Sequence, residues 1–400
     1  MRTALIDWPL TPYTGWGNYG TQLAQALMEQ GCYQPVLMAL NDRTDHCDLH
    51  WLAALEHLEA GSKSIRLILE KAIEDGNLPL PTSASLAFSP LGNISPPPRC
   101  KAKHNVGVIF FECSDFSKQQ LEILQSFDLV VTGSLWNQAL LKQFGVSRSQ
   151  LVHQGVDAGL FNPAPVPKLI KRSLVIFSGG KLESRKGQDI VIDAFRNLLQ
   201  FHPDALLIAA WGNVGNVAVE TIGCSPYVQG APKEGRAQGI ASWLAANGVP
   251  EKNVWVLPCV VNRQLPNVIK QADVAVFVSR CEGGTNLMAM ETLACGVPTL
   301  VSANSGHLDL LEMGMGHCLP VGAAGIGCVN SDLIVAYGRD HFGFWGETDP
   351  DELLQCWLKI ASEKASWQQQ GQQQAAAMQA MSWEVSMKRL MDLLKEIESP

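Results

Sequence analysis

Short apolar runs rich in β-branched residues alternate with longer helical patterns along almost the whole chain. This alternation predicts parallel β-sheets that are covered by helices on both faces. A proline-rich stretch, residues 162–172, interrupts the pattern, which then starts again. We therefore predict an α/β fold with two doubly wound, Rossmann-like domains, over residues 1–165 and 166–380. The runs typical of strands are TALID, QPVLMAL, VGVIFF, DLVVTG and SQLVHQG before the interruption, and SLVIFSGG, ALLIAAW, VWVLPCV, DVAVFVS and VPTLVSA after it.

Length and composition are consistent with two large cores. The chain has 400 residues, of which 46% are hydrophobic, and it exceeds the size of one ordinary domain. Its last segment, SWEVSMKRLMDLLKEI, places apolar side chains on one face of a helix. We predict that residues 381–400 form a C-terminal helix that packs back on the N-terminal domain.

Charge and cysteine usage limit the partners and the cell compartment. A formal net charge of -8 argues against nucleic acid as a partner. No run approaches the roughly 18 apolar residues of a membrane span, and the N-terminus lacks a secretory pattern. The 11 cysteines include no CxxC pair, which is typical of reduced thiols in a cytoplasmic protein. His46, Cys47 and His50 match no standard zinc spacing, so we expect no metal site.

A carboxylate stands on an apolar helix in the stretch CEGGTNLMAMETLACGVP, residues 281–298. Thr285 or Asn286 is a suitable N-cap, and a helix is predicted from Leu287 to Cys295. On that helix Glu291 shares its face with apolar residues only. An ionised carboxylate there requires hydrogen bonds. Two interpretations are open. In the first, Glu291 reaches solvent or pairs with a distant arginine or backbone N–H. In the second, it accepts hydrogen bonds from the vicinal hydroxyls of a ribose.

The turn before this helix has the features of an anion site. Its free N–H groups and the helix dipole favour a negative charge, and Gly283 and Gly284 allow a ligand to approach the backbone. Glu282 enters the turn from the strand DVAVFVS, so it should lie at the carboxyl end of that strand. A sugar diphosphate would place its phosphates at the turn, its ribose at Glu291 and its sugar near Glu282.

Two lysines follow the first strand of the second domain. Lys181 comes directly after SLVIFSGG, and Lys186 ends the loop at the start of the next helix. Both should lie at the carboxyl edge of the sheet, where ligands of such folds bind. We expect them to bind a diphosphate, although Arg185 lies in the same charged loop and some of these charges will be solvated.

The stretch 281–298 resembles the paired-glutamate motif of the family 4 retaining glycosyltransferases, which have the GT-B fold. The residues that carry this resemblance are Glu282, Gly283, Leu287, Glu291, Gly296 and Pro298. The segments HQGVDAGLFNP (153–163) and SGGKLESRKGQDIVIDAF (178–195) resemble the family's segment before the linker and its second-domain opening. The resemblance implies a pyrophosphate clamp by Lys181 and Lys186, with Lys181 in place of the usual arginine. The family's glutamates are usually eight positions apart, whereas Glu282 and Glu291 are nine apart. Either Glu282 or a backbone group of the turn therefore takes the place of the first glutamate.

The N-terminal half contributes weaker signals. GWGNYG (15–20) matches GxGxxG but lies too far from the first strand for a dinucleotide-binding turn. The resemblance implies a glycine loop, with Gly15 and Gly17 close to donor phosphate or acceptor. Family members often carry a histidine after a strand that corresponds to VGVIFF, and Glu112 stands there in this chain. Glu112 either contacts sugar or acceptor hydroxyls or makes a capping or interdomain hydrogen bond. His307 is a capping residue or a contact to the base.

The resemblance implies a metal-independent glycosyltransferase that moves a sugar, with retention of configuration, from a nucleotide diphosphate sugar to a hydroxyl acceptor. Glu282 and Glu112 are the candidate catalytic residues. The candidate donor-binding residues are Gly15, Gly17, Lys181, Lys186, Gly283, Gly284, Thr285, Asn286, Leu287 and Glu291. No cofactor is expected beyond the donor substrate, and the acceptor, whether saccharide, lipid-linked or protein, is left open. Two alternatives also stay open: a non-catalytic partner subunit, and an epimerase or phosphorylase on the same fold.

Overall fold

The computed structural model describes residues 1–40, 49–93, 97–212, 217–323 and 345–399. The chain divides into two units. The first comprises Met1–Phe111, Phe116–Gly155 and Trp383–Pro400, and the second comprises Glu112–Asp115 and Val156–Ser382. The sequence placed the boundary at residue 165, whereas the division falls after Gly155, so that the proline-rich stretch belongs to the second unit.

The first unit contains a six-stranded parallel sheet with the strand order β2-β1-β4-β6-β7-β8. A two-residue parallel pair, β3 with β5, lies apart from it. The strands are β1 Arg2–Ile6, β2 Tyr33–Leu37, β3 Leu80–Pro81, β4 Leu86–Leu91, β5 Cys100–Lys101, β6 His104–Ile109, β7 Leu129–Thr132 and β8 Ser149–Leu151. The helices are α1 Gly15–Glu29, α2 Leu49–Glu74, α3 Lys118–Gln125 and α4 Leu135–Gln143.

The second unit contains another six-stranded parallel sheet, with the order β11-β10-β9-β12-β13-β14. Strands β15 and β16 form a short antiparallel pair. The strands are β9 Val175–Gly179, β10 Leu206–Ala210, β11 Val254–Val256, β12 Val274–Phe277, β13 Thr299–Ser302, β14 His317–Leu319, β15 Gly322–Ala323 and β16 Gly346–Glu347. The helices are α5 Gln188–Leu198, α6 Val217–Glu220, α7 Ala237–Ala246, α8 Pro266–Ile269, α9 Leu287–Ala294, α10 His307–Glu312, α11 Pro350–Ser362 and α12 Lys364–Met378.

The strand β9 shows why this sheet is covered on both faces. Ile176 packs into a core that includes Phe195 of α5, whereas its neighbour Phe177 packs into a second core that includes Leu293 of α9. Successive side chains of a strand point to opposite faces, so a continuous apolar run requires helices on both sides. The doubly wound architecture predicted from the sequence is confirmed. Because the strand order reverses between β9 and β12, a crevice is expected at their carboxyl ends.

The C-terminal helix α13, Trp383–Glu398, belongs to the first unit. The ring of Trp383 lies edge-on to Tyr19 of α1, with 5.9 Å between the ring centroids. At the other end of the helix, Glu398 accepts hydrogen bonds from Arg2 and from the Tyr33 hydroxyl. Contacts at both ends therefore attach the last helix to the sheet and the first helix of this unit.

Two observations concern the environment of the chain. Among the described residues, none of the helices is both long enough and apolar enough to cross a membrane. The nine cysteines in the same residues are all free thiols.

Gly187 tests how tightly the loop after β9 packs on the end of β12. Its φ is +72°, and a Cβ there would overlap the carbonyl oxygen of Val278. We expect Gly187→Ala to lower the free energy of unfolding by about 3 kcal/mol or more, from left-handed strain and displaced backbone. Gly314→Ala is the matched control, because its φ is +73° and its surroundings are open. The control should lose only about 1–2 kcal/mol in urea unfolding, and equal losses would contradict this account of the packing.

Candidate active site

The candidate site lies at the carboxyl ends of β9 and β12, where the strand order of the second unit reverses. Three loops meet there through their backbones: 180–187 after β9, 278–286 after β12 and 303–306 after β13. The N–H of Arg280 donates to the carbonyl of Arg185 at 2.7 Å, and the N–H of Gly306 donates to the carbonyl of Glu282 at 3.0 Å. A Cβ on Gly306 would overlap the carbonyl oxygen of Gly284, so these two loops require glycine to pack this closely.

Glu282 is an ionised carboxylate with a dense set of donors. Its Oε1 accepts hydrogen bonds from Lys186 Nζ and Ser279 Oγ at 2.6 Å each, and from Asn286 Nδ2 at 3.2 Å. Burial alone would raise the pKa of Glu282, but the charges of Lys186 and Arg185 lower this pKa to about 2. At neutral pH the group therefore accepts hydrogen bonds and has no proton to give.

Arg185 connects the two glutamates that the sequence singled out as catalytic. Its Nη1 donates to the Cys281 carbonyl at 2.8 Å and to Glu282 Oε2 at 3.3 Å. Its Nη2 pairs with Glu183 and lies 3.6 Å from Glu112 Oε1. The structure thus brings Glu112 and Glu282 to the guanidinium of Arg185. In the sequence, the only indication of a role for Arg185 was its position in a charged loop.

The two candidate lysines differ in their surroundings. The side chain of Lys186 is mostly buried against Glu282, whereas Lys181 is exposed. The backbone carbonyl of Lys181 accepts a hydrogen bond from Gln188 Nε2 at 2.6 Å, which shapes the loop. Of the loop's three cations it is Lys181 that is solvated, while Arg185 is buried.

The turn EGGTN leads into α9 through a strained residue. Asn286 is the N-cap with a φ of +64°, and its Oδ1 accepts from the N–H of Ala289 at 3.5 Å. Thr285, the other N-cap candidate, is buried with its hydroxyl against the sulfur of Met290. Within the described part of the chain, the N–H groups of Leu287 and Met288 donate to no protein group. These two free amides enable the start of the helix to bind an anion, as the sequence predicted.

His307 supports this turn from inside the protein. The ring is fully buried, with Nε2 at 3.2 Å from Asn286 Nδ2 and Nδ1 at 3.1 Å from Ser302 Oγ. Burial lowers the pKa of His307 to about 4, so the ring is neutral. The N-cap of α10 is Gly306 rather than His307, and the capping role considered from the sequence is therefore wrong.

Glu291 is buried on α9 without a cation. Its Oε1 accepts a hydrogen bond from Asn262 Nδ2 at 2.6 Å, and no ion pair to it occurs among the described residues. Burial raises the pKa of Glu291 to about 8, against the smaller opposing effect of Asn262. Asn262 begins a turn after β11. Its position after a strand was the only feature of the sequence that could have indicated a role in the site. The pairing with a distant arginine that the sequence left open is not what the structure shows.

A second buried ion-pair group lies beside the site. Arg280 is fully buried and donates to both oxygens of Asp189, at 3.0 and 2.7 Å, and to Glu347 Oε2 at 2.6 Å. Tyr227 also donates to Glu347, at 2.9 Å. Because its guanidinium is occupied by protein groups, Arg280 has a structural role in joining α5, the loop after β12 and β16.

The glycines of the first unit lie at the start of α1. Gly15 is exposed, and the N–H of Gly17 donates to the N-cap side chain of Thr14 at 3.0 Å. A Cβ on Gly17 would overlap the backbone of Thr11. Packing therefore explains Gly17, and the expected contact of these two glycines with a ligand stays a prediction.

The cluster of His46, Cys47 and His50 cannot be placed. His46 and Cys47 lie outside the described residues, as does the side chain of His50. Among the described residues, no group of three or more histidine, cysteine, aspartate or glutamate side chains is arranged to hold a metal ion.

Two units, each with a doubly wound parallel sheet, and charged loops at the switch point of the second unit have the architecture of the GT-B fold. The chain matches the family described as "Family 4 Glycosyltransferase in conflict systems" over residues 112–390, well over half of its length. It belongs to this family of glycosyltransferases, and the resemblance read from the sequence is confirmed.

Several similar proteins agree with this assignment. Mannosylfructose-phosphate synthase of Agrobacterium fabrum is 25% identical over 214 residues, 51% of this chain and 44% of that protein. The chain spans about half the length of the curated relatives it matches. The fold is similar to sucrose-phosphate synthase from Thermosynechococcus elongatus, with a TM-score of 0.64, 14% identity and 99% of each chain covered. It is also similar to HepE from Anabaena in complex with UDP and glucose, with a TM-score of 0.63, 14% identity and coverage of 99% and 100%.

The raised pKa of Glu291 predicts a pH-dependent stability. This pKa is about 8 in the folded protein and 4.5 for a glutamate side chain in water, so unfolding releases a proton between these pH values. The wild type should therefore lose stability as the pH rises through this window, and Glu291→Gln should not. We expect the melting temperature of Glu291→Gln relative to wild type to increase from pH 5 to about pH 8. Parallel pH profiles would contradict the prediction, and Glu251→Gln, at an exposed glutamate of the same unit, is the control.

Proposed function

We propose that the protein transfers a sugar from a nucleoside diphosphate sugar to a hydroxyl acceptor, with retention of configuration and without a metal ion. The observation that carries the proposal is the grouping of Lys186, the free amides at the start of α9 and the ionised Glu282 at the switch point of one sheet. Cations and amides suit a diphosphate, and the carboxylate suits sugar hydroxyls. Membership of a glycosyltransferase family supports the same reaction.

The diphosphate of the donor would bind between Lys186 and the turn EGGTN. The amides of Leu287 and Met288 supply donors, and Gly283 and Gly284 leave room beside the backbone. Lys181, exposed near the start of the loop after β9, is able to approach the outer oxygens of the ligand. As the sugar–phosphate bond breaks, negative charge develops on the diphosphate, and these donors stabilise it without reorganisation.

The nucleoside would bind with its ribose at Glu291. The carboxyl group is held by Asn262 through one oxygen and has no competing cation among the described residues. Ribose hydroxyls that donate to the carboxylate favour its ionised form, so binding below about pH 8 would release a proton. HepE was solved with UDP and glucose, which supports a nucleotide sugar as the donor and leaves the base of this chain's donor to experiment.

The transferred sugar would bind near Glu282, and Glu112 lies on the other side of Arg185. Because Glu282 is ionised, it orients sugar hydroxyls and is not a general acid. Retention is explained by attack of the acceptor hydroxyl on the same face as the leaving diphosphate, whose oxygen takes the acceptor's proton. This route requires no nucleophilic residue of the protein.

Lys186→Ala tests the diphosphate site. In a thermal-shift screen against UDP, GDP and ADP and their sugars, the preferred nucleotide should raise the melting temperature of the wild type. Lys186→Ala should weaken binding of that nucleotide by about tenfold and abolish measurable turnover, because a close cation is lost. Lys252→Ala, at an exposed lysine of the same unit, should change neither. An unaltered dissociation constant in Lys186→Ala would reject this lysine as a ligand of the diphosphate.

Chelation tests the proposed independence of metal. With a donor and acceptor identified, turnover in the presence of excess EDTA should equal turnover without it, since lysines and amides stabilise the leaving group. Loss of turnover that is restored by added Mg²⁺ or Mn²⁺ would refute this part of the proposal. Product analysis by NMR should show a glycoside with the donor's anomeric configuration.

A further inference from the structure

Around Arg185 and Lys186, carboxyl groups outnumber cations before any ligand arrives. Three carboxyl groups, those of Glu112, Glu183 and Glu282, surround two cations, Arg185 and Lys186. Arg185 is shared by all three carboxyl groups, so that Lys186 is the buried cation left for a ligand, beside the exposed Lys181. Yet Lys186 is itself paired with Glu282, at 2.6 Å. A site meant only to hold a diphosphate tightly would lack this carboxylate.

We propose that Glu282 is the counter-ion of Lys186 and that it selectively weakens binding of the nucleoside diphosphate that leaves after sugar transfer. This inference rests on the function proposed above and adds to it a mechanism of product release. The ligand class on which it acts is the free nucleoside diphosphate, as distinct from the sugar nucleotide.

The geometry keeps Glu282 in place while Lys186 turns to a ligand. Ser279 Oγ donates to Glu282 at 2.6 Å, Asn286 Nδ2 at 3.2 Å and Arg185 Nη1 at 3.3 Å. The lysine has a long flexible side chain, whereas the carboxylate is fixed by these three donors. A bound diphosphate therefore shares Lys186 with Glu282 instead of displacing it. In a buried site such competition is strong, because Coulomb energies increase as the effective dielectric constant falls.

Glu282 disfavours binding of the free nucleoside diphosphate more than binding of the sugar nucleotide. Breaking the sugar–phosphate bond leaves a terminal phosphate whose second ionisation has a pKa near 6, so at neutral pH the product carries additional negative charge. The sugar nucleotide lacks this charge, and its sugar hydroxyls can donate to Glu282. The same carboxylate thus attracts the donor through its sugar and repels the product through its phosphate.

The test compares affinities for UDP, GDP or ADP and for the matching sugar nucleotide. In Glu282→Gln, which retains the shape of the side chain and removes its charge, the dissociation constant of the free diphosphate should fall about tenfold. The dissociation constant of the sugar nucleotide should stay the same or rise, and product inhibition of turnover should strengthen. Isothermal titration calorimetry with the nucleotide that gives the largest thermal shift measures both constants.

A double-mutant cycle with Lys186→Ala isolates the pairing. Lys186→Ala should weaken diphosphate binding several-fold more in the Glu282→Gln background than in the wild type, because only there is the lysine free of its counter-ion. Glu251→Gln, at an exposed glutamate of the same unit outside the site, is the control for loss of a carboxylate and should leave the affinity for the diphosphate unchanged. If Glu282→Gln fails to fold, Glu282→Asp, which retracts the charge from Lys186, should give a smaller tightening in the same direction.

The outcomes separate the two proposals. A nucleotide that binds the wild type but binds Glu282→Gln, or the aspartate variant, with unchanged or lower affinity overturns the counter-ion role and leaves the donor site standing. If none of the three diphosphates and their sugars binds either form, the donor site itself is wrong, and the counter-ion role is wrong with it.

Discussion

The buried guanidinium of Arg280 is the interaction on which the candidate site depends. It joins the start of α5, through Asp189, to the loop after β12 and to Glu347. Taking three charged groups out of water is costly, and removing one partner would leave the others uncompensated. Here bidentate geometry and further hydrogen bonds from Ser225 and Tyr227 satisfy the two carboxylates. The network joins the start of α5, which follows the loop 180–187, to the loop 278–286, and these two loops carry Arg185, Lys186 and Glu282.

The two glutamates of the motif differ because their surroundings differ. Glu282 lies among cations and is ionised over the whole physiological range, whereas Glu291 has only an amide partner, and burial raises its pKa to about 8. Both are equally buried, so burial alone does not decide their protonation. The difference follows from which loops converge on each side chain: Lys186 and Arg185 reach Glu282, and Asn262 reaches Glu291.

Local sequence patterns were sufficient for ten of the twelve strands in the two six-stranded sheets, for the helix that carries Glu291 and for the glycine turn, because periodicity and capping act over a few residues. They missed β4, whose apolar run contains Pro90, and the three-residue strand β14. The partners of the site residues could not be predicted, since they come from loops distant in sequence. Asn262 meets a glutamate 29 positions later, and Arg280 meets an aspartate 91 positions earlier. The role of Arg185 was not predicted for the same reason: some charges of such a loop are solvated, and only the fold shows that three carboxylates surround this arginine.

The positive φ of Asn286 has a consequence for variation at this position. Its backbone conformation favours glycine, asparagine or aspartate over other residues. Its side chain, however, accepts from the N–H of Ala289 through oxygen and faces Glu282 and His307 through nitrogen. Glycine would leave both carboxylate and imidazole short of a donor, and aspartate would set a second negative charge against Glu282. The backbone and the side chain of this residue thus impose separate requirements, and asparagine meets both.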